Sequence, residues 1–458
     1  MRVLVINGSP AGDDSITLQT ALYIERFFPG AAFEYINAAR RIKSIEKDFS
    51  AARQALERAE LLVFCYPVYT FLVPAQLHRF IELIKANGVD LRGKFATQLT
   101  TSKHFYDTTA HQFIQDNCAD LGLRYIRGLS ADMEDLLSQK GRKEALDFFH
   151  FVCWSVNNDL SEPVLPRPEA YPPLKLARVP ENAALLEEPP KKVVVVTDMD
   201  EAENPRLAAM VGRFRAVMDA EVSLVNLREF SFAGGCLGCF HCAAEGKCVY
   251  KDGFDTLLRE QIQTGDAIVY AYTIRDHSMG YNFKLYDDRQ FCNGHRTVTM
   301  GKPVGYLVDG YLAAEPNLQI LMEARAQVGG NFPAGVATDV TDPDGEIDAL
   351  AKTLSFALRT GYQPPKTFYG VGGLKIFRDL IYQMQGLMRE DHRFYKKHGF
   401  YDFPQKRPGT IVGMYLVGSM MKNKKLSKKL GSRMTKGMIM PYRAVLEKAG
   451  KAKRWAPE

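Results

Sequence analysis

"RVLVING", residues 2–8, decides the fold of this chain, because it is an apolar, β-branched run closed by glycine and because it occurs twice. Its counterpart is "KVVVVTD", residues 192–198, about 190 positions later. Each reads as the first strand of a parallel sheet. The second strands, "FEYIN" ending at Asn37 and "VSLVN" ending at Asn226, keep that offset. The third, "AELLVFCY" and "GDAIVYAY", stand about 206 apart, and the fourth, "GKFATQLTT" and "GKPVGYLVD", about 208. The second copy has therefore gained some seventeen residues between its second and third strands, the length of "FAGGCLGCFHCAAEGKC" (232–248).

Between the strands lie segments of helical period, among them "SITLQTALYIERFF", "DFSAARQALERA", "PAQLHRFIELIKAN" and "PRLAAMVGRFRAVM". Strand and helix alternate, which predicts α/β architecture: two tandem doubly wound parallel sheets of five strands each. The expected organisation is a first domain over 1–160, a proline-rich linker over 161–192 with eight prolines, a second domain over 193–362 and a helical, basic extension over 363–458.

Composition narrows the function classes. At 458 residues, 46% hydrophobic and 24% charged, the chain can build two or three cores. Neither a signal peptide nor a run of about 18 apolar residues stands out, so a cytoplasmic protein is expected. The net charge of +6 comes from the tail, where residues 409–458 carry twelve Lys and Arg against Glu447 and Glu458. No basic patch with interleaved aromatics occurs elsewhere, so no nucleic-acid partner is expected. The tail is either a solvated face of a helical appendage or a surface for anionic lipid or an acidic partner.

Cys236, Cys239, Cys242 and Cys248 fall inside thirteen positions, while Cys65, Cys118, Cys153 and Cys292 are scattered. In a reducing compartment such a cluster points to metal or redox chemistry rather than to disulfides. Three cysteines at two-residue gaps and a fourth a few residues on suit one 4Fe-4S cubane. Structural zinc draws on two pairs a dozen or more residues apart and fits less well, and free thiols remain the third reading. His241 inside the loop is read as a bystander, His277 and His295 lack metal spacing, and the absence of G-x-S-x-G leaves hydrolase chemistry without support.

The loop after the first strand, "NGSPAGDDSIT", sets Gly8 and the hydroxyls of Ser9, Ser15 and Thr17 just before a helix, an arrangement that suits a phosphate at a helix N-terminus. It is neither a Walker loop nor G-x-G-x-x-G. After the third strand, "CYPVYTFLVPAQL" offers an aromatic wall at the same sheet edge.

Together these stretches resemble the flavodoxin-like NAD(P)H-dependent FMN reductases, through Gly8, Ser9 and Pro10, then Pro67 and Tyr69, then Pro74, Ala75 and Leu77. The likeness covers residues 1 to about 155 and recurs more weakly over 193 to about 362. It implies FMN phosphate on Ser9, Pro10, Ser15 and Thr17, and the flavin ring beside Pro67, Val68, Tyr69, Thr70 and Phe71, with Thr100, Thr101 and Ser102 as the third loop. Ala11 stands where the family commonly has a basic residue, and Asp13 and Asp14 add negative charge. The second copy has four acidic residues and no glycine in its first loop, and its third loop lacks the proline, so flavin is expected in the first copy. Its cysteine loop is similar to that of the iron-sulfur flavoproteins, with Asp252 and Asp255 following Cys248. The resemblance implies an oxidoreductase passing electrons from NAD(P)H through FMN and a 4Fe-4S cluster to a small-molecule or protein acceptor, in a chain that is itself free to form a homo-oligomer. The alternative is a non-catalytic carrier docking a redox partner.

Overall fold

The computed structural model describes residues 1–164, 191–402 and 408–421. Most of the expected linker and of the basic tail lies outside the described residues. The chain falls into two compact units, Met1–His398 and Gly399–Glu458. In the second unit the described element is the helix Pro408–Met421.

Both sheets lie in the first unit. One contains β1 (Arg2–Asn7), β2 (Ala32–Ile36), β3 (Leu61–Pro67), β4 (Phe95–Ser102), β5 (Arg124–Tyr125) and β6 (Leu129–Asp132), in the order β2-β1-β3-β4-β5 with β6 also paired to β4. The other contains β7 (Lys192–Thr197), β8 (Glu221–Asn226), β9 (Ala267–Thr273), β10 (Pro303–Asp309) and β11 (Phe332–Thr338), in the order β11-β10-β9-β7-β8. Read from the second strand outward, the two orders are the same flavodoxin-like 2-1-3-4-5. Val3 to Ile6 and Val193 to Val196 are buried on both faces, the reason these strands read as unbroken apolar runs. The first sheet has six strands rather than the expected five because its last strand is interrupted. At the break, a Cβ on Gly128 would lie 2.5 Å from the Gln98 carbonyl oxygen, so the backbone can pass only as glycine.

The two sheets are joined through a pair of equivalent helices, Ala75–Ala86 and Gly280–Arg289, which pack on each other. Adding 206 to a residue number carries one helix onto the other, and the contacts obey the same rule. The Ala75 amide donates to Asp288 Oδ2 at 2.8 Å, and the Tyr281 amide donates to Glu82 Oε1 at 2.9 Å. Each helix thus receives a carboxylate at its N-terminus from its equivalent. Each is preceded by a two-residue left-handed turn, Thr70–Phe71 with φ of 40° and 69° and Asp276–His277 with φ of 51° and 62°.

At the centre of this joint the halves diverge. Lys284 is fully buried and its ammonium donates to Tyr69 O at 3.0 Å, to Thr70 Oγ1 at 2.6 Å and to Asp288. Burial raises the Asp288 carboxyl despite that lysine. The equivalent of Lys284 is His78, also fully buried, whose two ring nitrogens have no hydrogen-bond partner. Burial pushes its imidazole down to about 3.

The helices Phe368–Gln383 and Arg389–Lys397 follow the second sheet. The first packs on the helix Pro316–Val328, where Gly373 permits close approach, since a Cβ there would lie 2.6 Å from Val328 Cγ2. Among the described residues no helix is long and apolar enough to cross a membrane.

Candidate functional site

The carboxyl edge of the first sheet opens on a cleft of about 340 Å³ that is walled on its far side by the cysteine loop of the second half. Ser9, Ser15 and Thr17 line one end, Pro67 to Thr70 the middle, and Cys236, Cys239, Cys242 and Cys248 the other. Residues far apart in sequence converge here because loops after strands of a parallel sheet emerge at one edge.

The phosphate end is built by local hydrogen bonding. Ser15 caps the helix Ile16–Glu25 by accepting from the Leu18 amide at 3.3 Å, and the Ser9 hydroxyl accepts from the Ala11 amide at 3.3 Å. Thr17 Oγ1 lies 2.6 Å from Thr101 Oγ1, tying the helix to β4. Asp14 lines this end, and the cation beside it, Lys103, is already held by Asp132 at 2.9 Å and Glu134 at 3.6 Å. A dianion here would be met by a helix terminus and hydroxyls, with the exposed Arg40 lying against Gly12 of the same loop, which fits a phosphate.

Three expected residues sit elsewhere. Pro10 is buried beneath the loop and does not line the cleft. Thr100 is fully buried and bonds His111 Nε2 at 2.9 Å, on the opposite face of β4 from Thr101. Phe71 is turned inward by its left-handed backbone and packs on Phe105 and Tyr106 at centroid separations of 4.9 and 4.4 Å. Thr101 and Ser102 do line the cleft.

The cysteine loop meets the turn after β3 directly. Gly238, at φ 64°, lies so close to the Tyr69 hydroxyl that a Cβ would come within 1.9 Å of it, and Gln76 Nε2 donates to the Cys236 carbonyl at 3.3 Å. The acidic residues after Cys248 brace the loop. Asp255 accepts from the Cys248 amide at 3.0 Å, and Asp252 accepts twice from Arg289, at 2.9 Å each. Arg289 is buried at 1% exposure, donates to Gly234 O at 2.8 Å, stacks over Tyr250 at 4.5 Å and leaves its Nε without a partner. It is a fixed positive charge that acts on Cys248, and such a charge suits a thiolate ligand. Burial pushes the Cys236 thiol up and the Cys242 thiol up to about 11, so ligation there must expel protons. His241 is exposed at the start of the short helix His241–Glu245.

The sequence reading missed the remaining wall. His295 lines the cleft with Phe291 and Phe377, and its Nδ1 is held at 2.9 Å by Oδ2 of the fully buried Asp391. The same oxygen accepts the His295 amide at 3.0 Å, so the ring is fixed by both backbone and side chain. This leaves Nε2 as the nitrogen available to a molecule in the cleft. The aromatic wall from the last helices is anchored by the stack of Phe377 on Phe105 at 4.1 Å.

The corresponding edge of the second half is closed by its own charges. Asn204 donates to Thr273 at 3.1 Å, Thr273 donates to Asp309 at 2.9 Å, and Arg206 pairs with Asp309 at 3.3 Å and with Asp339. Burial pushes Asp198 up to about 6, against the opposing pull of Arg275 and Arg228.

Residues 1–127 match the family of NADPH-dependent FMN reductases. An iron-sulfur flavoprotein of Archaeoglobus fulgidus is 26% identical over 174 residues, spanning 36% of this chain and 79% of that protein. Similar solved structures include an FMN-dependent NADH-azoreductase of Bacillus anthracis in complex with FMN, at 15% identity and TM-score 0.27 over 35% of this chain and 99% of that one. An NAD(P)H:quinone oxidoreductase of Methanothermobacter marburgensis aligns at 13% identity and TM-score 0.28 over 36% of this chain and 99% of that one. At such scores the fold rests on the strand order itself.

Proposed function

From the match of its first half to the NADPH-dependent FMN reductases, we propose that this chain is an oxidoreductase that takes electrons from NAD(P)H through FMN in the first half and a 4Fe-4S cluster in the second. The observation that carries the reading is the single cleft lined jointly by Ser9, Ser15, Thr17 and Tyr69 and by all four loop cysteines. Flavin couples two-electron to one-electron transfer and a cluster exchanges single electrons, so these groups when bound supply the redox chemistry.

The chain supplies position and charge. Ser9, Ser15, Thr17 and the helix terminus would hold the phosphate, and Pro67 to Thr70 with Phe377 would wall the ring. Cys236, Cys239, Cys242 and Cys248 would hold the cluster, with the Arg289 charge acting on Cys248. A cluster is favoured over zinc by the compact spacing of the four cysteines, since structural zinc draws on two pairs a dozen or more residues apart. His295, aimed by Asp391, is placed to give a proton to an acceptor reduced in the cleft. The shared strand order and the 206-residue equivalence at the joint support an origin by tandem duplication, with one site relaxed in each half. The basic tail is proposed to dock an acidic partner or an anionic surface.

The test is anaerobic purification with flavin and iron analysis, followed by NADH and NADPH oxidation by the isolated protein. One FMN and four irons per chain with turnover support the reading. Both cofactors without NAD(P)H oxidation would make the chain a carrier, and absence of flavin would sink the proposal.

A further inference from the structure

The joint between the halves contains two equivalent clusters, and only one of them has a cation at its centre. In the first, Lys284 joins Thr70 and Asp288, and its ammonium makes three hydrogen bonds. Moving by 206 residues converts Lys284 to His78, Thr70 to Asp276 and Asp288 to Glu82. The exchange removes the central cation and adds a carboxylate, while Arg79 and Lys85, which stand where the sister cluster has Leu285 and Phe291, bring two cations to the outer oxygens.

The centre of the second cluster leaves its imidazole without a partner. His78 Nε2 lies 3.9 Å from Glu82 Oε1 and 4.0 Å from Asp276 Oδ2, and the imidazole is fully buried with neither nitrogen bonded. One ligand atom from each of the three residues lies within 4.8 Å of the others. An imidazole left without a partner between two carboxylates is a costly arrangement unless something sits between them. Arg79 and Lys85 approach from outside, on the other oxygens, Glu82 Oε2 at 2.9 Å and Asp276 Oδ1 at 2.7 Å. Both are shared with further carboxylates, Glu46 at 2.6 Å and Asp120 at 2.7 Å. Asp276 Oδ2 and the imidazole remain for a central ion, and Glu82 Oε1, which accepts the Tyr281 amide at 2.9 Å, has a further lone pair to offer it. Glu82 and Asp276 side chains keep 17% and 15% exposure, which gives an ion a path from solvent.

We propose that His78, Glu82 and Asp276 bind one divalent cation of the zinc class, which clamps the two halves together at the position that Lys284 fills in the sister cluster. One imidazole and two carboxylates form a donor set for borderline metals rather than for soft ones. Ligands of a tetrahedral zinc ion at 2.0–2.2 Å stand about 3.4 Å apart, so the trio closes on the ion by roughly half an ångström. Because His78 and Glu82 come from the first half and Asp276 from the second, the ion bridges them, and binding raises the melting temperature as a ligand of the folded state must.

The experiment is a titration of the full-length, chelator-treated protein with Co²⁺ and then Zn²⁺, with iron and flavin counted separately. The expected result is one equivalent of cobalt with ligand-field bands and no thiolate-to-metal charge transfer. It should persist in Cys239→Ala, be lost in Asp276→Asn, and be accompanied by a zinc-dependent rise in melting temperature. The double substitution His78→Lys, Asp276→Thr gives this cluster the central lysine, threonine and carboxylate trio of its sister, with Arg79 and Lys85 still at its rim, and should retain flavin and bind no cobalt at this position. Should Asp276→Asn or His78→Gln fail to fold, that double variant still decides the matter. Cobalt showing only thiolate bands, no cobalt beyond the cysteine loop, or an equivalent retained in both Asp276→Asn and the double variant overturns the proposal.

Discussion

The two sheet edges have the same strand order and opposite chemistry. At the first, neutral hydroxyls of Ser9, Ser15, Thr17 and Thr101 surround the helix terminus. At the second, Arg206, Asp309 and Asp339 form an internal ion pair network where the phosphate of an equivalent ligand would lie. A fold therefore does not fix a site. The same backbone offers a dianion a helix terminus in one half, and in the other a position already taken by carboxylates. The halves divide the labour, and the cysteine loop of one closes over the edge of the other.

The largest effect should come from reversing the chemistry of the first edge. Replacing Ser9 and Thr17 together by glutamate should abolish flavin retention, because each new carboxylate would stand beside the phosphate. Iron content should be unchanged, and flavin at wild-type stoichiometry by absorbance would break the comparison. Arg206→Ala at the second edge should leave the flavin count as it was, since the carboxylates remain.

Next in size is the loss of one ligand from the cysteine loop. Cys239→Ala should remove iron but leave FMN bound and reducible by NAD(P)H, while reduction of a one-electron acceptor drops sharply. One-electron transfer that continues unchanged in the iron-free protein would rule out the relay, and simultaneous loss of flavin would mean that the loop is a structural wall of the cleft.

A smaller effect separates the proton from the electrons. His295→Gln should slow reduction of a quinone, which needs protons, by roughly 100-fold, the lower end of general acid catalysis. Reduction of ferricyanide, which needs none, should hold. Asp391→Asn should act in the same direction and shift the pH profile, because the asparagine amide no longer fixes the tautomer. Equal losses with both acceptors would make His295 a packing residue of the wall.

Much of this was legible in the sequence because strand periodicity and glycine punctuation are local signals. The β-branched runs at 2–8 and 192–198 and the length of the cysteine insertion located both sheets and their edge. The misplacements also have local causes. Thr100 and Thr101 point to opposite faces of β4, and only the second faces the cleft, a distinction that a run of threonines does not announce. Phe71 turns inward because two successive left-handed residues redirect the chain. His295 and Asp391 are 96 residues apart and meet only through packing of the last helices, so no spacing rule could pair them. The equivalence of Glu82 with Asp288 was present in the offset, but its meaning required the two helices to be seen side by side.

The smallest effect tests the joint itself through pH. His277, in the left-handed turn of the second half, lies 2.8 Å from Asp120 of the first half and 2.9 Å from Glu315. Burial alone would lower its pKa, but hydrogen bonds to the two carboxylates outweigh that and raise it from 6.5 to about 9. A group raised on folding binds its proton more tightly in the native state, so its contribution is complete below pH 6.5 and is lost as pH rises through about 9. With Asp120 partly exposed at 40%, the stabilisation is discounted to roughly 2 kcal/mol. Urea denaturation of the wild type should therefore show stability falling across that window. His277→Gln should start lower by about this amount and lose the slope, because glutamine carries no titrating proton and its one amide nitrogen cannot take the place of both ring nitrogens. Equal slopes in the two proteins would assign the pH dependence to other groups and leave the joint between the halves insensitive to this proton.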